Sequence, residues 1–388
     1  MGNRKYKILY FYITHALEGF QGFNIHIMEF MNHANAIDGI EVIGAYELAK
    51  EQKNTIFYLR LFHKIKKYLP RFISDCLAIF SNIPDLFYAL KKIKEYSPDI
   101  ILFRHNHMKW YQNIVRKITG IPMLLEVNAP LTLERIQLKE LALKRISFLL
   151  EKWSWQTADR IYVVSNALKN ILSSHVNPEK IVAIHNGVNK NAYTSILKEK
   201  RETIIIGYAG SFRKYHGIDI LFSHVIPNVL SQYPQVTFLL VGTGGVLSDF
   251  QKNPSLTKEL MQRVILPGHI RYHDLPEYIS KMDITFMMDF TEYGSPLKLF
   301  EYMMARTCII VPDRKPIREI IEDGKDGLFF KPRDESDFMR CLSKVLSDES
   351  FRDMLALNAY EKVINNYTWD HNAKRVVEVL KSISKKNE

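Results

Sequence analysis

Short hydrophobic runs alternate with amphipathic segments along the chain, and this alternation determines the predicted fold. In the first half the runs predict strands at 7–13, 40–45, 99–103, 123–127 and 160–164. Apolar residues recur at helical spacing over 22–35 and at about 75–96, 107–119, 136–157 and 166–173. Strands that alternate with helices in this way predict a parallel sheet covered on both faces.

A second series of strands follows a stretch poor in apolar residues at 190–202. Its predicted strands are 203–208, 236–241, 264–266, 284–287 and 308–311, with a helix over about 217–231. The α/β pattern therefore predicts two doubly wound domains, 1–197 and 198–370. A last helix at about 371–388 is predicted to pack back on the first domain. Ligands of such sheets bind at the carboxyl ends of the strands.

The composition narrows the class of protein. The chain has 388 residues, of which 47% are hydrophobic, and this is enough to build ordinary cores. A disordered tail, a disulfide miniprotein and a collagen-like fibre are excluded. Three widely spaced cysteines form no metal-ligand pattern and indicate a reducing compartment. No run of 18 uncharged apolar residues and no signal-peptide pattern occurs, so we expect neither a membrane span nor secretion.

The excess positive charge belongs to the first half of the chain. The net charge is +11, and residues 1–190 carry 26 Lys and Arg against 16 Asp and Glu. The segment 50–71 is densest in cations and is interleaved with aromatic residues. Such a segment can contact an anionic membrane surface or form a solvated helix face. Nucleic acid is not expected as a partner, because no nucleic-acid recognition motif accompanies the charge.

A turn followed by a helix start over 293–302 carries the strongest candidate site. Ser295 and Pro296 stand at the turn, and proline is favoured at the first helical position. The unpartnered first-turn amides and the helix dipole suit a phosphate. Lys298 adds a cation, and the Glu301 carboxylate can accept hydrogen bonds from a ribose. The alternative is an ordinary helix start with a surface Lys–Glu pair.

A second candidate is the glycine-rich basic loop over 207–217. It follows a strand and precedes a helix, so it also lies at the carboxyl edge. Arg213 and Lys214 can neutralise a diphosphate leaving group there; the alternative is a basic solvent loop. In the first domain, His105 and His107 follow a strand and are equally compatible with a structural and a catalytic role.

Taken together, these segments resemble retaining glycosyltransferases of family 4, which have the GT-B fold. No single segment is specific, but their order along the chain is. The resemblance rests on the glycine loop through Gly22 and on residues 125–130, 134–135, 158–165, 185–188, 209–217, 239–242, 275–278, 294–302, 319–328 and 367–369.

The resemblance implies two Rossmann-like domains that face each other across a cleft. The second domain would hold a nucleotide-diphospho-sugar and the first an acceptor, with no cofactor and no required metal. The implied catalytic residues are Arg213, Lys298 and Glu301. The implied donor-binding residues are Gly22, Gly210, Ser211, Lys214, His269, Ile270, Ser295, Pro296 and Leu297, and the implied acceptor residues are His105 and Asn128.

The chain departs from the family pattern at three positions. Tyr293 stands where a glutamate is common, with Glu292 one place away. His216 replaces the usual lysine of the phosphate loop, so Lys214 is the reserve candidate for the second phosphate cation. Asn128 stands where a histidine is common.

The resulting expectation is a retaining glycosyltransferase of bacterial cell-surface polysaccharide biosynthesis, acting on a glycan or lipid-linked glycan. We expect a uridine rather than a guanosine nucleotide, and a cytoplasmic protein with peripheral contact at the inner membrane face. The alternatives are a non-catalytic nucleotide-sugar-binding or membrane scaffold subunit and a GT-B-like nucleotide-sugar epimerase. The epimerase reaction needs a cluster of carboxylates, and the sequence shows none.

Overall fold

The chain divides into two compact units. The structure, a computed structural model, describes residues 5–12, 22–45, 69–194, 201–247, 250, 253 and 256–384. One unit is Met1–His185 with Asn372–Glu388, and the other is Asn186–His371. The division after His185 precedes the expected one after residue 197. The reason is that Ile184 still bonds to the first sheet, whereas Asn186 and Val188 bond to Ser295 and Tyr367 of the second unit.

The first unit is built on a six-stranded parallel sheet of order β2-β1-β3-β4-β5-β6. All predicted strands are present, and a short edge strand, β6, is added. Their bounds are β1 Tyr6–Phe11, β2 Ile40–Gly44, β3 Ile100–Arg104, β4 Met123–Val127, β5 Arg160–Val163 and β6 Ile181–Ala183.

Helices connect these strands, as expected of parallel pairing. Two predicted helices are each divided in two, at Ser81 and over 138–143. The helices are α1 Gly22–Asn35, α2 Arg71–Phe80, α3 Asn82–Tyr96, α4 Tyr111–Thr119, α5 Leu131–Gln137, α6 Lys144–Thr157 and α7 Asn166–Ser173.

The second unit has another six-stranded parallel sheet, of order β12-β11-β10-β7-β8-β9. All strands run parallel, but successive strands are added on one side of β7 up to β9 and on the other side from β10 onward, so the strand order reverses between β7 and β10. Such a switch point opens a crevice for ligands at the carboxyl ends of the strands. The strands are β7 Ile204–Ala209, β8 Val236–Val241, β9 Val264–Gly268, β10 Ile284–Phe286, β11 Cys308–Pro312 and β12 Leu328–Phe330.

Helices of the second unit pack on its sheet around two apolar clusters. The predicted helix over 217–231 contains a π-helical turn, Leu221–Val225. The helices are α8 Ile218–Ile220, α9 Ile226–Gln232, α10 Lys258–Met261, α11 Leu275–Ser280, α12 Leu297–Met304, α13 Lys315–Arg318, α14 Glu335–Ser347 and α15 Glu349–Asn366.

The last helix, α16 (Trp369–Ser384), returns to the first unit. Its buried residues Ala373, Val376 and Leu380 belong to the same apolar cluster as Ile8 and Tyr10 of β1. The first unit therefore takes its core from both ends of the chain.

Among the described residues, Arg71–Tyr96 is the one stretch that is long and apolar enough, by length and composition, to cross a membrane. It forms two helices, α2 and α3. Asp75 and Asn82 within it bond to backbone groups of the first unit. Most of the basic segment 50–71 lies outside the described residues, so its membrane contact stays a prediction.

Candidate active site

The loops that follow β7 and β10 meet at the switch point of the second sheet. β7 pairs with β8 on one side and with β10 on the other. The loop after β7 carries Gly210 and Arg213, and the loop after β10 leads into α12. Because both loops leave the same edge, the two motifs predicted to bind a donor come together here.

Lys298 joins the two motifs. Its Nζ donates a 2.9 Å hydrogen bond to the Tyr208 hydroxyl and lies 4.4 Å from the centroid of that ring. Tyr208 is buried at the end of β7. No carboxylate of the described residues forms a salt bridge with Lys298. Its charge is therefore positioned by an aromatic ring and remains available to an anion.

Gly210 of the first motif packs closely against Lys298 of the second. Its φ is +149°, and a Cβ built on it lies 2.9 Å from Lys298 Nζ. A Cβ on Gly242, after β8, lies 1.9 Å from the Gly210 carbonyl oxygen. The backbone of the β7 and β8 loops is thus packed without room for side chains, which fixes the path of the loop beside Lys298.

Arg213 and His216 stand with Lys298 in one electropositive group. Arg213 is exposed, and its guanidinium lies 5.8 Å from the centroid of the Tyr215 ring. Burial, together with the charges of Lys298 and Arg213, lowers the pKa of His216 to about 3. His216 is therefore neutral at neutral pH in the free protein. Among the described residues no acid pairs with Arg213, so the group can receive an anion.

The helix start at the second motif lies one residue later than expected. α12 begins at Leu297, and Pro296 is its N-cap residue without a side-chain cap hydrogen bond. Ser295 and Pro296 are buried, whereas Leu297 and Lys298 are half-buried. An uncapped helix start leaves its first amides and the positive dipole end for a ligand.

Asn186 fixes the turn before α12, a role that the motif pattern did not reveal. Its backbone N–H donates to Ser295 Oγ over 3.1 Å, and its Nδ2 donates to the Ser295 carbonyl over 2.7 Å. The Ser295 side chain therefore holds the loop. The chemical signal in the sequence was only an asparagine between a histidine and a glycine, which does not identify its partner.

Glu301 is buried in α12, one turn after Lys298. The Tyr193 hydroxyl is also buried, with no hydrogen-bond partner among the described atoms. Burial, and then the charge of Glu301, raise the pKa of Tyr193. The charge of Glu301 therefore acts on Tyr193, and the ribose contact of Glu301 stays a prediction.

The other predicted donor contacts lie on the same edge, at exposed or partly buried positions. Ser211, Lys214 and His269 are exposed, and Ile270 is half-buried. The Lys214 carbonyl accepts a 3.1 Å hydrogen bond from Arg333. His269 and Ile270 follow β9, whose last residue, Gly268, accepts a 2.9 Å hydrogen bond from the Gly242 N–H.

Glu292 does not stand free in place of the glutamate that the family often has. Its carboxylate pairs with Arg314, which also bonds to Asp289. Burial alone would lower the pKa of the Arg314 guanidinium. The hydrogen bonds to Asp289 and Glu292 outweigh it and raise that pKa. The pair of acids and this arginine therefore hold the loop between β10 and α12.

In the first unit, Asn128 belongs to a buried polar network around Glu126. Asn128 Nδ2 donates to Glu126 Oε1 over 2.5 Å, and Arg104 and the Tyr10 hydroxyl donate to the same carboxylate. Burial favours the protonated form, yet Arg104 and His26 hold the pKa of the Glu126 carboxyl below its usual range. The network orients the half-buried Asn128 amide.

His105 is buried, and its Nε2 lies 3.1 Å from Glu151 Oε1. His107 Nε2 lies 2.9 Å from the Ser147 hydroxyl. The structure therefore places both histidines against α6, which favours the structural reading of this pair. Gly22 is the first residue of α1, and the glycine loop before it lies outside the described residues.

No group of three or more His, Cys, Asp or Glu side chains suited to a metal ion occurs among the residues that the structure describes. The expectation that neither a metal nor another cofactor is required stays a prediction.

Both halves of the chain match known glycosyltransferase families. Residues 20–192 match the family described as Glycosyltransferase Family 4, and residues 203–348 match the one described as Glycosyl transferases group 1. The chain is a family 4 glycosyltransferase. The predicted family, its enzymatic class and the GT-B architecture are thereby confirmed.

Curated relatives of this glycosyltransferase are distant. It is 25% identical over 247 residues to an uncharacterized glycosyltransferase of Methanocaldococcus jannaschii, covering 60% of this chain and 62% of that protein. A match of 25% to the yeast phosphatidylinositol N-acetylglucosaminyltransferase GPI3 subunit covers 58% of this chain and 51% of that subunit. This chain thus spans about half to three fifths of the length of these relatives.

A longer match joins it to the UDP-Gal:alpha-D-GlcNAc-diphosphoundecaprenol alpha-1,3-galactosyltransferase of Escherichia coli. The two chains are 21% identical over 308 residues, which is 75% of this chain and 77% of the other.

Solved structures show the same fold at low sequence identity. Sucrose-phosphate synthase from Thermosynechococcus elongatus superposes with a TM-score of 0.73 at 16% identity, covering 98% of this chain and 99% of the other. Anabaena HepE, crystallised with UDP, superposes with a TM-score of 0.69 at 17% identity, covering 97% and 100%.

Proposed function

We propose that this glycosyltransferase moves a sugar, with retention of its anomeric configuration, from a uridine-diphospho-sugar to a lipid-linked glycan. The reaction would serve bacterial cell-surface polysaccharide biosynthesis. The named activity of the E. coli relative, whose acceptor is a diphosphoundecaprenol-linked sugar, supports the choice of acceptor. The UDP bound to HepE supports the choice of nucleotide.

One observation carries the donor side of the proposal. Lys298, near the uncapped start of α12, contacts Tyr208 and approaches Gly210 at the switch point, and Arg213 follows Gly210 in the same loop. Two cations and unpartnered amides on one sheet edge form a site for a diphosphate rather than for a neutral ligand.

The chemical step breaks the bond between the anomeric carbon and the diphosphate oxygen. Negative charge grows on the departing diphosphate, and Lys298, Arg213 and the helix start stabilise it from fixed positions. The acceptor hydroxyl attacks from the same face of the sugar, and its proton passes to the departing phosphate oxygen. The new bond therefore has the configuration of the old one, and no protein nucleophile is required.

The test compares Lys298→Ala and Arg213→Ala with Lys331→Ala, an exposed lysine of the same unit. Transfer is measured as release of uridine diphosphate from a panel of donors with a lipid extract as acceptor. We expect each of the first two variants to lose about a hundredfold or more in rate, about 3 kcal/mol, and Lys331→Ala to keep its rate. Circular dichroism checks that all three variants are folded.

Near wild-type transfer by either variant would refute the assignment of the diphosphate cations. The anomeric configuration of the product, read by NMR coupling constants, tests retention separately. An inverted product would overturn the proposed step while leaving the donor site intact.

A further inference from the structure

Large apolar side chains cover the outer face of α2 and α3 in the first unit. The exposed fractions of Phe80 and Phe87 are 65% and 68%. We call the set the phenylalanine face, and its members are Phe72, Ile73, Phe80, Ile83 and Phe87. In the most apolar 18-residue window of Arg71–Tyr96, only 17% of the residues are buried. The face is therefore much more exposed than a core helix would be.

Polar bonds on the inner side hold α2 in this orientation. Asp75 is buried, and its Oδ2 accepts hydrogen bonds from the N–H groups of Ala142 and Leu143 over 2.9 and 2.8 Å. These two residues immediately precede α6, so Asp75 caps a helix that has no side-chain cap of its own. The bonds fix which side of α2 faces inward.

Asn82 does the same for α3. Its Oδ1 accepts from the N–H groups of Trp110 and Tyr111 over 2.7 and 3.1 Å, and its Nδ2 donates to the Met108 carbonyl over 3.0 Å. Lys109 forms a 2.6 Å salt bridge with Asp85 of α3. The phenylalanine face is consequently presented outward by two helices whose inner sides are bonded to the rest of the first unit.

Cations continue the stripe along α3. Ile83, Phe87, Lys91 and Lys94 follow one another at spacings of four, four and three residues, which places them on one side of a helix. Both lysines are exposed, as is Arg71 at the start of α2. Glu95, the exposed acid of α3, pairs with Lys92 over 2.9 Å. Apolar groups flanked by cations complement a surface that is anionic outside and apolar beneath.

We propose that the phenylalanine face docks on an anionic lipid bilayer. The phenylalanine rings enter the boundary between headgroups and acyl chains, and Arg71, Lys91 and Lys94 contact headgroup phosphates. The net charge of +10 over residues 1–190 adds to the attraction. A membrane accounts for both the apolar and the cationic groups, and docking brings the first unit to the surface that holds a lipid-linked acceptor. Only the access to a lipid-linked acceptor rests on the proposed function; the docking itself does not.

The experiment is flotation of the full chain with vesicles of phosphatidylglycerol and phosphatidylcholine in 50 and 500 mM salt. Phe80→Ser/Phe87→Ser should lower the partition coefficient between vesicles and solution by about tenfold or more. The matched control, Met354→Ser/Leu357→Ser, removes two exposed apolar side chains of α15 in the second unit and should bind like the wild type. Lys91→Glu/Lys94→Glu should reduce binding only at low salt and only to anionic vesicles, because its effect is electrostatic.

Wild-type protein that does not float with anionic vesicles at low salt overturns the inference, as does equal binding by Phe80→Ser/Phe87→Ser. If the face instead binds a second copy of the chain, light scattering shows a dimer. The same double variant would then dissociate the dimer without any change in flotation, and this result also overturns the inference. Uridine diphosphate binding, measured in solution, tests the proposed function independently, because the substituted residues lie outside the donor site.

Discussion

The ammonium group of Lys298 contacts a tyrosine, Tyr208, rather than a carboxylate, and its positive charge therefore acts on neighbouring residues. A carboxylate partner would neutralise the charge before a ligand arrives, whereas the Tyr208 ring positions the ammonium and leaves it positive. The uncompensated charge acts on His216, which lies at the position where the family usually has a lysine. Burial first, and then the charges of Lys298 and Arg213, lower the pKa of His216.

The pH dependence of folding stability follows from the pKa of His216, which is about 3 in the folded protein against an ordinary value of 6.5. Between these values the unfolded chain binds more protons than the folded one, so this histidine lowers the stability as the pH falls from 6.5 towards 3. We expect His216→Gln to lose less stability than the wild type between pH 7 and pH 4.5. Urea unfolding at the two pH values measures the difference.

The control for this experiment is His273→Gln, which removes an exposed histidine of the same unit. Parallel pH profiles for His216→Gln and the wild type would contradict the lowered pKa of His216.

Glu301 is the residue that we expect to determine nucleotide affinity rather than rate. A buried carboxylate that accepts ribose hydroxyls loses its charge in Glu301→Gln, while the shape of the side chain is retained. Because hydrogen bonds to charged groups contribute about 1.5–3 kcal/mol, the affinity for uridine diphosphate should fall about tenfold or more. Calorimetry with the free nucleotide tests this, and unchanged affinity would reject the ribose contact.

At the scale of elements, the first residues of the second unit, 186–188, support the loop before α12. Val188 pairs with Thr368, and its N–H donates to the Tyr367 carbonyl over 3.0 Å. A Cβ on Gly187 would lie 2.6 Å from the Thr368 carbonyl carbon. Two motifs that are 180 residues apart in sequence, at 185–188 and 367–369, therefore pack against each other, and Asn186 extends this packing to Ser295.

Asn186→Ala should destabilise the second unit and loosen the start of α12. The substitution leaves the buried Ser295 carbonyl without its side-chain donor, at a cost of about 1–3 kcal/mol. We expect a lower free energy of unfolding in urea and a weaker affinity for uridine diphosphate. Asn191→Ala, at an exposed position nearby, is the control and should change neither quantity; an equal response of the two variants would contradict the role of Asn186.

At the scale of the whole molecule, the first unit depends on the last helix of the chain. Leu380 is fully buried in the cluster that contains Ile8 and Tyr10. Leu380→Ala should lower the free energy of unfolding of this unit by about 2–5 kcal/mol, since it leaves a cavity in a packed core. Lys381→Ala, the exposed neighbour, should be neutral. Urea unfolding measures both, and a wild-type curve for Leu380→Ala would contradict the packing.

The strands that the sequence failed to predict are both short edge strands. β6 has three residues, of which only Ile181 is buried, so its hydrophobic signal is too weak to separate from a loop. β12 also has three residues. The breaks at Ser81 and over 138–143 were missed for a different reason. Distant contacts accompany them: Asp75 accepts hydrogen bonds from backbone N–H groups 67 and 68 residues away, and Asn82 from ones 28 and 29 residues away.

The geometry of the candidate site was also only partly accessible from the sequence. Lys298, Arg213 and the turn before α12 were recognisable as candidates, because a cation and a helix start after a strand have the same chemistry in many sequences, and their roles stay predictions. Tyr208 and Asn186 were not, because their roles consist of contacts to residues about 90 and 110 positions away. His105 shows the limit from the other side, since a polar residue after a strand can equally be paired inside the core, as its contact with Glu151 illustrates; its acceptor role stays a prediction.

The sequence by itself determined the α/β class, most strand positions, the two-domain plan and the family, because each follows from local periodicity or from motif order along the chain. Only the tertiary structure decided where the units divide, which groups hold Lys298 and the loop before α12, and which apolar residues face outward. These depend on contacts between distant segments, and burial of a side chain is a property of the packed fold rather than of its neighbours in sequence.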